Sequence, residues 1–212
     1  MAIPSIRYWL RLKGKRMQIE DCGGLILGGG KGSRMGGIDK GSLSLNGKSF
    51  LCRVEDALNF LPEKMYAGNG ESRFTTVYEE FAGCGPLGGI YAGLSCINGS
   101  GLFVAACDTP LLTDNFVRFM IQRAGDGVTI SQTPDGRLQP LGAVYHRDVL
   151  PVIGHMLQNG QRRLMGLLER VPVQVVPLAG TEFENVHFNV NTPEDLAVLR
   201  EMRILDNDVR FC

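Results

Sequence analysis

A short apolar run, Gly24 to Leu27, opens directly into the glycine-dense stretch LGGGKGSRMGGIDK, Leu27 to Lys40, and this junction constrains the chain more than any other feature. A buried strand that empties into such a loop is the entrance to a phosphate cradle. Glycine lets the backbone come close to an anion and adopt positive φ, so that successive N–H groups of Gly28 to Gly30 can aim at it, while Lys31, Arg34 and Lys40 bring the opposite charge. The plainer alternative is a surface turn with scattered charges. The strand in front and the basic positions inside weigh against it.

Two familiar phosphate fingerprints do not fit. A P-loop requires a glycine five residues ahead of Gly-Lys-Ser/Thr, and Gly47-Lys48-Ser49 has Ser42 at that position. A dinucleotide fingerprint begun at Gly28 or Gly30 meets Ser33 or Met35 where its third glycine belongs. A kinase-type site is therefore disfavoured, and phosphate is held by another scheme.

The chain has 212 residues, 44% hydrophobic and 21% charged, with a formal net charge of zero. That is enough chain for one ample domain with a proper core. Charge neutrality argues against a nucleic-acid surface or a polybasic membrane patch as the main business. No apolar run reaches the length of a membrane span, and the N-terminus lacks the apolar core and small-residue cleavage site of a signal peptide, so a cytoplasmic protein is expected. Cys22, Cys52, Cys84, Cys96, Cys107 and Cys212 form no Cys-x-x-Cys pair, sit mostly in apolar surroundings and read as reduced core thiols, not as a disulfide framework or a zinc site.

Residues 1–20 crowd Arg7, Arg11, Lys13, Lys15 and Arg16 together and read as a basic appendage, with a helical possibility at Ile6 to Leu12; 21–205 read as one domain and 206–212 as a tail. After the glycine loop, a strand at Leu43 to Leu45 and the turn Asn46-Gly47 precede a helix capped by Ser49 and running to about Leu61. Strands are expected at Met65 to Ala67 and Thr75 to Tyr78, then a second glycine loop, Gly83 to Gly89, leading into a helix near Ile90 to Ile97. Leu102 to Ala106 reads as a buried strand. Thr113 or Asp114 caps the next helix; strands follow at Val128 to Ser131 and Leu141 to His146, helices at Asp148 to Leu157 and Leu164 to Leu168, and a strand at Val173 to Pro177. Thr192-Pro193-Glu194-Asp195 resembles a capping box that starts a helix to about Leu205. Strands alternating with helices predict an α/β fold around a mainly parallel, twisted sheet.

Ligands of open α/β sheets collect at the carboxyl ends of strands. The first loop follows the strand ending at Leu27, and Asp108 follows the strand ending at Ala106. If those strands are neighbours, Asp108 faces bound phosphate. A carboxylate beside polyphosphate needs a hard cation between them, and Mg2+, which takes one or two carboxylates plus phosphate oxygens, suits the place. Asp108 serving only as a turn cap before Pro110 is the alternative. His146, His155 and His187 are scattered and read as structural.

The spaced motifs Leu27-x-Gly29-Gly30, Arg34-Met35-Gly36, Asp39-Lys40, Gly85-Pro86-Leu87-x-Gly89, Cys107-Asp108-Thr109-Pro110 and Asn189-Val190-Asn191-Thr192-Pro193-Glu194-Asp195-Leu196 resemble the molybdenum cofactor guanylyltransferases over about residues 23–200. The resemblance implies a three-layer, Rossmann-like nucleotidyltransferase fold and Mg2+-dependent transfer of GMP from GTP to molybdopterin, with pyrophosphate released. It places nucleotide contacts on Leu27, Gly28, Gly29, Lys40 and Asp108, the last also as the metal ligand, and puts Gly89 near the guanine. Arg162, Arg163, Asn189 and Asn191 match positions on the molybdopterin side. It also implies transient contact with molybdoenzymes or cofactor-delivery proteins. Two departures stand out: Ala67-Gly68-Asn69 where the family often has Asn-x-Asn, leaving Asn69, and Glu80 where an aspartate is usual.

Given the reaction that the resemblance implies, Arg34 and Lys40 would stabilise the triphosphate and leaving group. Three alternatives remain. One is a cytidylyl or sugar-phosphate nucleotidyltransferase. Another is a nicotinamide-dependent oxidoreductase, because Gly83, Gly85 and Gly88 spell a dinucleotide fingerprint with Asp108 about twenty residues on. The third is a module that only carries the cofactor.

Overall fold

The computed structural model describes residues 16–28, 43–78, 80–81, 83–190 and 192–208. Its strands are β1 (Cys22–Leu27), β2 (Ser44–Leu45), β3 (Lys48–Ser49), β4 (Lys64–Ala67), β5 (Thr75–Thr76), β6 (Gly101–Ala106), β7 (Val128–Gln132), β8 (Leu138–His146) and β9 (Val173–Pro177). Its helices are α1 (Phe50–Leu58), α2 (Pro86–Cys96), α3 (Asp114–Ile121), α4 (Leu150–Gln158), α5 (Leu164–Leu168) and α6 (Pro193–Asp208). Seven strands form one sheet in the order β5-β4-β1-β6-β8-β7-β9. Only β8 among them runs antiparallel to its neighbours, so the expected mainly parallel sheet is present. The pair β2–β3 is a separate hairpin around Asn46 and Gly47, both at positive φ (53° and 75°), as a two-residue Asn-Gly turn requires.

Alternate strand residues feed opposite cores. Cys22, Ile26, Phe103 and Ala105 join Val54, Ala57 and Leu58 of α1 and Phe116, Val117 and Met120 of α3. Leu25, Leu102 and Val104 point the other way, to Leu87, Ile90 and Leu94 of α2 and to Ile153, Met156 and Leu167 of α4 and α5. Helices therefore cover both faces, which is why the central strands read as continuous apolar runs rather than alternating ones. Three layers result.

Several expected boundaries shift. α1 ends at Leu58 rather than Leu61; α4 starts at Leu150, after a 3-10 turn at Arg147–Val149; β8 begins three residues earlier, at Leu138. β5 stops at Thr76, although the Val77 N–H still donates to the Tyr66 carbonyl (2.8 Å). α2 starts at Pro86, so Gly88 and Gly89 belong to its first turns and not to a loop. Pro86 lacks an N–H that the first turn would leave unpaired, and Gly85 at φ 64° makes the sharp entry. The packed body begins at Met17, 7% exposed, whose N–H donates to the Ala124 carbonyl (3.1 Å). α6 continues to Asp208, so 206–208 belong to the helix and not to the expected tail; the helical possibility at Ile6 to Leu12 and the residues 209–212 lie outside the described residues. Cys22, Cys52, Cys84, Cys96 and Cys107 are free thiols, but Cys96 is exposed rather than in apolar surroundings. Among the described residues no helix is long and apolar enough to cross a membrane.

Candidate active site

Leu27 and Ala106, the last residues of β1 and β6, are register partners. The Cys107 N–H donates to the Leu27 carbonyl (3.2 Å), and the Gly28 N–H donates to the Ala67 carbonyl at the end of β4 (2.8 Å). The chain thus leaves β1 between two neighbours that lie on opposite sides of it. After β1 the sheet grows through β4 and β5 in one direction and then returns to place β6 on the other side. That reversal opens a crevice at the carboxyl ends, and the first glycine loop begins inside it.

Close approach explains the glycine at position 28. A Cβ there would run into the ring and hydroxyl of Tyr66, and a Cβ on Gly68 would fall 2.5 Å from the Gly28 carbonyl oxygen and 2.7 Å from the Tyr66 Oη. Tyr66 is 4% exposed. Its hydroxyl accepts from the Gly70 N–H (3.3 Å), so it is the floor on which the Gly28 and Gly68–Gly70 backbones meet.

Asp108 lies half-buried in the turn after β6. The hydroxyl of Thr109 donates to the Ala106 carbonyl (2.7 Å) and the Leu112 N–H to the Thr109 carbonyl (3.2 Å), while Thr113 caps α3 through the Phe116 N–H (3.3 Å). Thr109 closes the turn and Thr113 caps the helix. Asp108 is thereby carried at the mouth of the crevice, one strand over from Gly28.

The second glycine loop enters α2, whose N-terminus also lies at the carboxyl end of the sheet. Gly83 and Gly85 have φ 72° and 64°, and Gly89 is buried in the helix. The guanidinium of Arg162 donates to the Gly83 carbonyl (3.3 Å), so the Arg162–Arg163 turn meets this loop, with Arg163 leading into α5. Asn189 is exposed beside Val190, which packs with Leu45, Phe50 and Leu199 against the half-buried Leu111. That small cluster joins the segment after β9 to the β2–β3 hairpin and to the chain just beyond Asp108. Asn69 and Glu80 are exposed. Gly29, Gly30, Lys31, Arg34, Lys40 and Asn191 lie outside the described residues.

The donor chemistry at Asp108 is compatible with Mg2+: a carboxylate is a hard oxygen donor, and Mg2+ commonly takes only one or two of these from a protein. Among the described residues, Asp126, His146 and Asp148 lie close enough together to hold a metal ion, but they sit at the other end of the sheet, since His146 pairs with Gly101 at the start of β6. His146 is not isolated, as its sequence suggested: its Nδ1 lies 3.1 Å from Asp148 Oδ1. His187 does fit a structural role. Buried at 9% exposure, its Nε2 is 2.6 Å from Ser131 Oγ, and burial pushes its pKa down to about 4.

The dinucleotide reading of Gly83, Gly85 and Gly88 lacks its strand. β5 ends seven residues before Gly83, and Pro86 at the first helical position has no N–H for a pyrophosphate. Sequence reasoning missed Tyr66, and it quoted Thr109 in a motif without its turn-closing role. Tyr66 reads only as a strand interior, and its register position across from Ile26, one step before the loop, has no signature along the chain.

A three-layer α/β fold in which the entrance of a glycine loop and a carboxylate follow neighbouring strands at the reversal point of the sheet is the arrangement at which open α/β proteins bind their ligands. Comparison with known proteins specifies which kind of protein this is. Residues 24–175 match the MobA-like NTP transferase domain, and the chain belongs to that family: it is a nucleotidyltransferase. It is 33% identical over 191 residues to the molybdenum cofactor guanylyltransferase of Vibrio cholerae, covering 85% of this chain and 92% of that one. Its fold is similar to that of molybdopterin-guanine dinucleotide biosynthesis protein A from Archaeoglobus fulgidus (TM-score 0.73, 24% identity, 85% of this chain and 98% of that one). It is also similar to 2-C-methyl-D-erythritol 4-phosphate cytidylyltransferase from Thermus thermophilus (TM-score 0.61, 14% identity, 84% and 97%).

Proposed function

We propose that this nucleotidyltransferase is a molybdenum cofactor guanylyltransferase, which moves GMP from GTP to molybdopterin and releases pyrophosphate. The observation that carries the reading is the register pairing of Leu27 with Ala106, which sets the phosphate-loop entrance beside Asp108. The name of the Vibrio cholerae relative supports the choice of base and acceptor.

The reaction joins two anions, a phosphate oxygen of the acceptor and the α-phosphorus of the nucleotide, so the protein's task is alignment and charge neutralisation. The Gly28 N–H is taken up by the Ala67 carbonyl (2.8 Å), so the N–H groups of Gly29 and Gly30 are the ones left to donate to phosphate oxygens, and Arg34 and Lys40 neutralise the triphosphate and the leaving pyrophosphate. Asp108 would hold Mg2+, which when bound supplies further positive charge to the phosphates. Asn69, Glu80 and Gly89 line the nucleotide side. Arg162 and Arg163, with Asn189 and Asn191, take the acceptor. No general base is needed, because the attacking phosphate is already ionised.

Pyrophosphate release from GTP, CTP and ATP, each with and without molybdopterin at one Mg2+ concentration, tests the reading. Release from GTP that depends on molybdopterin is expected. Equal or faster release from CTP overturns the guanylyl assignment and leaves the transferase; binding without any release points to a carrier.

A further inference from the structure

Glu55 is a carboxylate on the core-facing side of α1, 1% exposed and next to the buried Val54, Ala57 and Leu58. A buried carboxylate is costly unless charge and hydrogen bonds compensate it. Here every compensating group comes from one loop. The Ser72 hydroxyl donates to Oε1 (2.7 Å), the Arg73 N–H to the same oxygen (2.8 Å), and the Arg73 Nε to Oε2 (2.6 Å). Ser72 Oγ in turn accepts from the Phe74 N–H (3.1 Å). The Arg73 guanidinium continues to Asp56 (2.7 Å), which also pairs with Lys48.

The other end of that loop is in the crevice. Gly68 abuts the Gly28 carbonyl, and the Gly70 N–H donates to Tyr66. Asn69 stands exposed between these two contacts. Between Gly70 and Ser72 there is a single residue, so the loop is clamped on both sides of a very short span. An apolar side chain at position 55 would fill the core at less cost; what the carboxylate adds is a fixed height for the loop.

We propose that Glu55 is a positioning residue for nucleotide binding: through Ser72 and Arg73 it fixes the Gly68–Phe74 loop, and with it Asn69, against the first residue of the phosphate loop. The inference rests on the reading of the crevice as a nucleotide site. The carboxylate accepts and never donates in this arrangement. Glu55→Gln therefore turns an amide N–H toward either Arg73 Nε or the Ser72–Arg73 donors, and the clamp loosens.

The test is GTP affinity, measured by direct titration well below the melting temperature, for wild type, Glu55→Gln, Ser72→Ala and Val173→Ala. Val173 is buried on β9, away from the loop, and reports loss of stability alone. Glu55→Gln is expected to raise Kd for GTP on the order of tenfold, the equivalent of one charge-assisted hydrogen bond. Ser72→Ala is expected to raise it less. Val173→Ala is expected to lower the melting temperature and leave Kd unchanged. Wild-type Kd in both Glu55→Gln and Ser72→Ala, whatever their melting temperatures, overturns the proposal. If Glu55→Gln fails to fold, Ser72→Ala decides alone. A wild-type protein that binds no GTP overturns the nucleotide reading itself, and this inference with it, before any variant is compared.

Discussion

The N–H of Cys107 donates to the carbonyl of Leu27 at 3.2 Å, so the two strands that end in the glycine loop and in Asp108 stay hydrogen-bonded one residue past the sheet. The ladder leaves little freedom at the point where the loops diverge. Gly28, where the glycine loop begins, and Asp108 are thereby carried on neighbouring strands that are still bonded to each other. Thr109 extends the same rigidity by closing the turn onto Ala106.

Replacing Asp108 by asparagine keeps the size of the side chain and removes its charge. Transfer is expected to fall by at least about a hundredfold, the scale of losing a charge contact in an active site, with the melting temperature close to wild type. Mg2+-dependent turnover at the wild-type rate in this variant would remove Asp108 from the proposed metal site.

Gly28→Ala pushes a methyl group into Tyr66, a buried ring held between the Gly28 and Gly70 backbones. Overpacking of this kind costs about 1–3 kcal/mol, and here the displaced backbone belongs to the phosphate loop. Both stability and nucleotide affinity should fall. Tyr66→Phe, which loses only the hydroxyl, should retain most of the stability and show weaker nucleotide binding, because Gly70 loses its acceptor. Chemical denaturation and GTP titration of both variants separate the two effects.

The helix α6 tests a feature read from sequence. Thr192 and Asp195 do form a capping box: the Asp195 N–H donates to Thr192 Oγ1 (3.1 Å) and the Thr192 N–H to Asp195 Oδ2 (2.9 Å). Thr192→Ala should cost about 1 kcal/mol of stability. Because the adjoining Val190 is packed against Leu45 and Phe50, amides of the β2–β3 hairpin should exchange faster in the variant.

How much was legible follows from how local each signal is. β9 and α5 are readable to the residue: α5 is an apolar run between Arg163 and Glu169, and β9 is a valine-rich run set off by Pro172 and Pro177. The relation between Leu27 and Asp108 was readable only as a condition, because strand order is not written in any one segment. α2 was misplaced because Gly88 and Gly89 argue locally for a loop, whereas packing on Leu25 and Leu102 favours a glycine-rich helix that can come close: a Cβ on Gly93 would lie 2.8 Å from Leu102 and 3.0 Å from Leu25. The start of β8 was missed because Pro140 argues against a strand, yet Gln139 and Leu138 still pair with β7 past a register shift. The Glu55–Arg73 pair spans 18 residues with no periodic pattern to connect them, and only the folded chain brings them together.

His187 gives a pH prediction with a definite sign. It is buried beside Phe116 with rings edge to face at 5.4 Å, it is bonded to Ser131, and Gly142, at φ 90°, leaves room for its ring. Burial lowers its pKa from 6.5 to about 4, so the unfolded chain binds a proton at higher pH than the folded one does. Stability from this group is complete above about pH 6.5 and is lost as pH falls toward 4. Between pH 7.5 and pH 5.5 the loss should be roughly 1.3 kcal/mol, set by protonation of the unfolded histidine alone. His187→Gln removes the titrating group while His146 and His155 remain, so the difference between the two proteins isolates it. Urea denaturation at both pH values should show the wild type losing that much more stability than the variant. Equal losses would mean that His187 takes up its proton in the folded state as readily as in the unfolded chain, and that the Ser131 pocket does not hold it neutral.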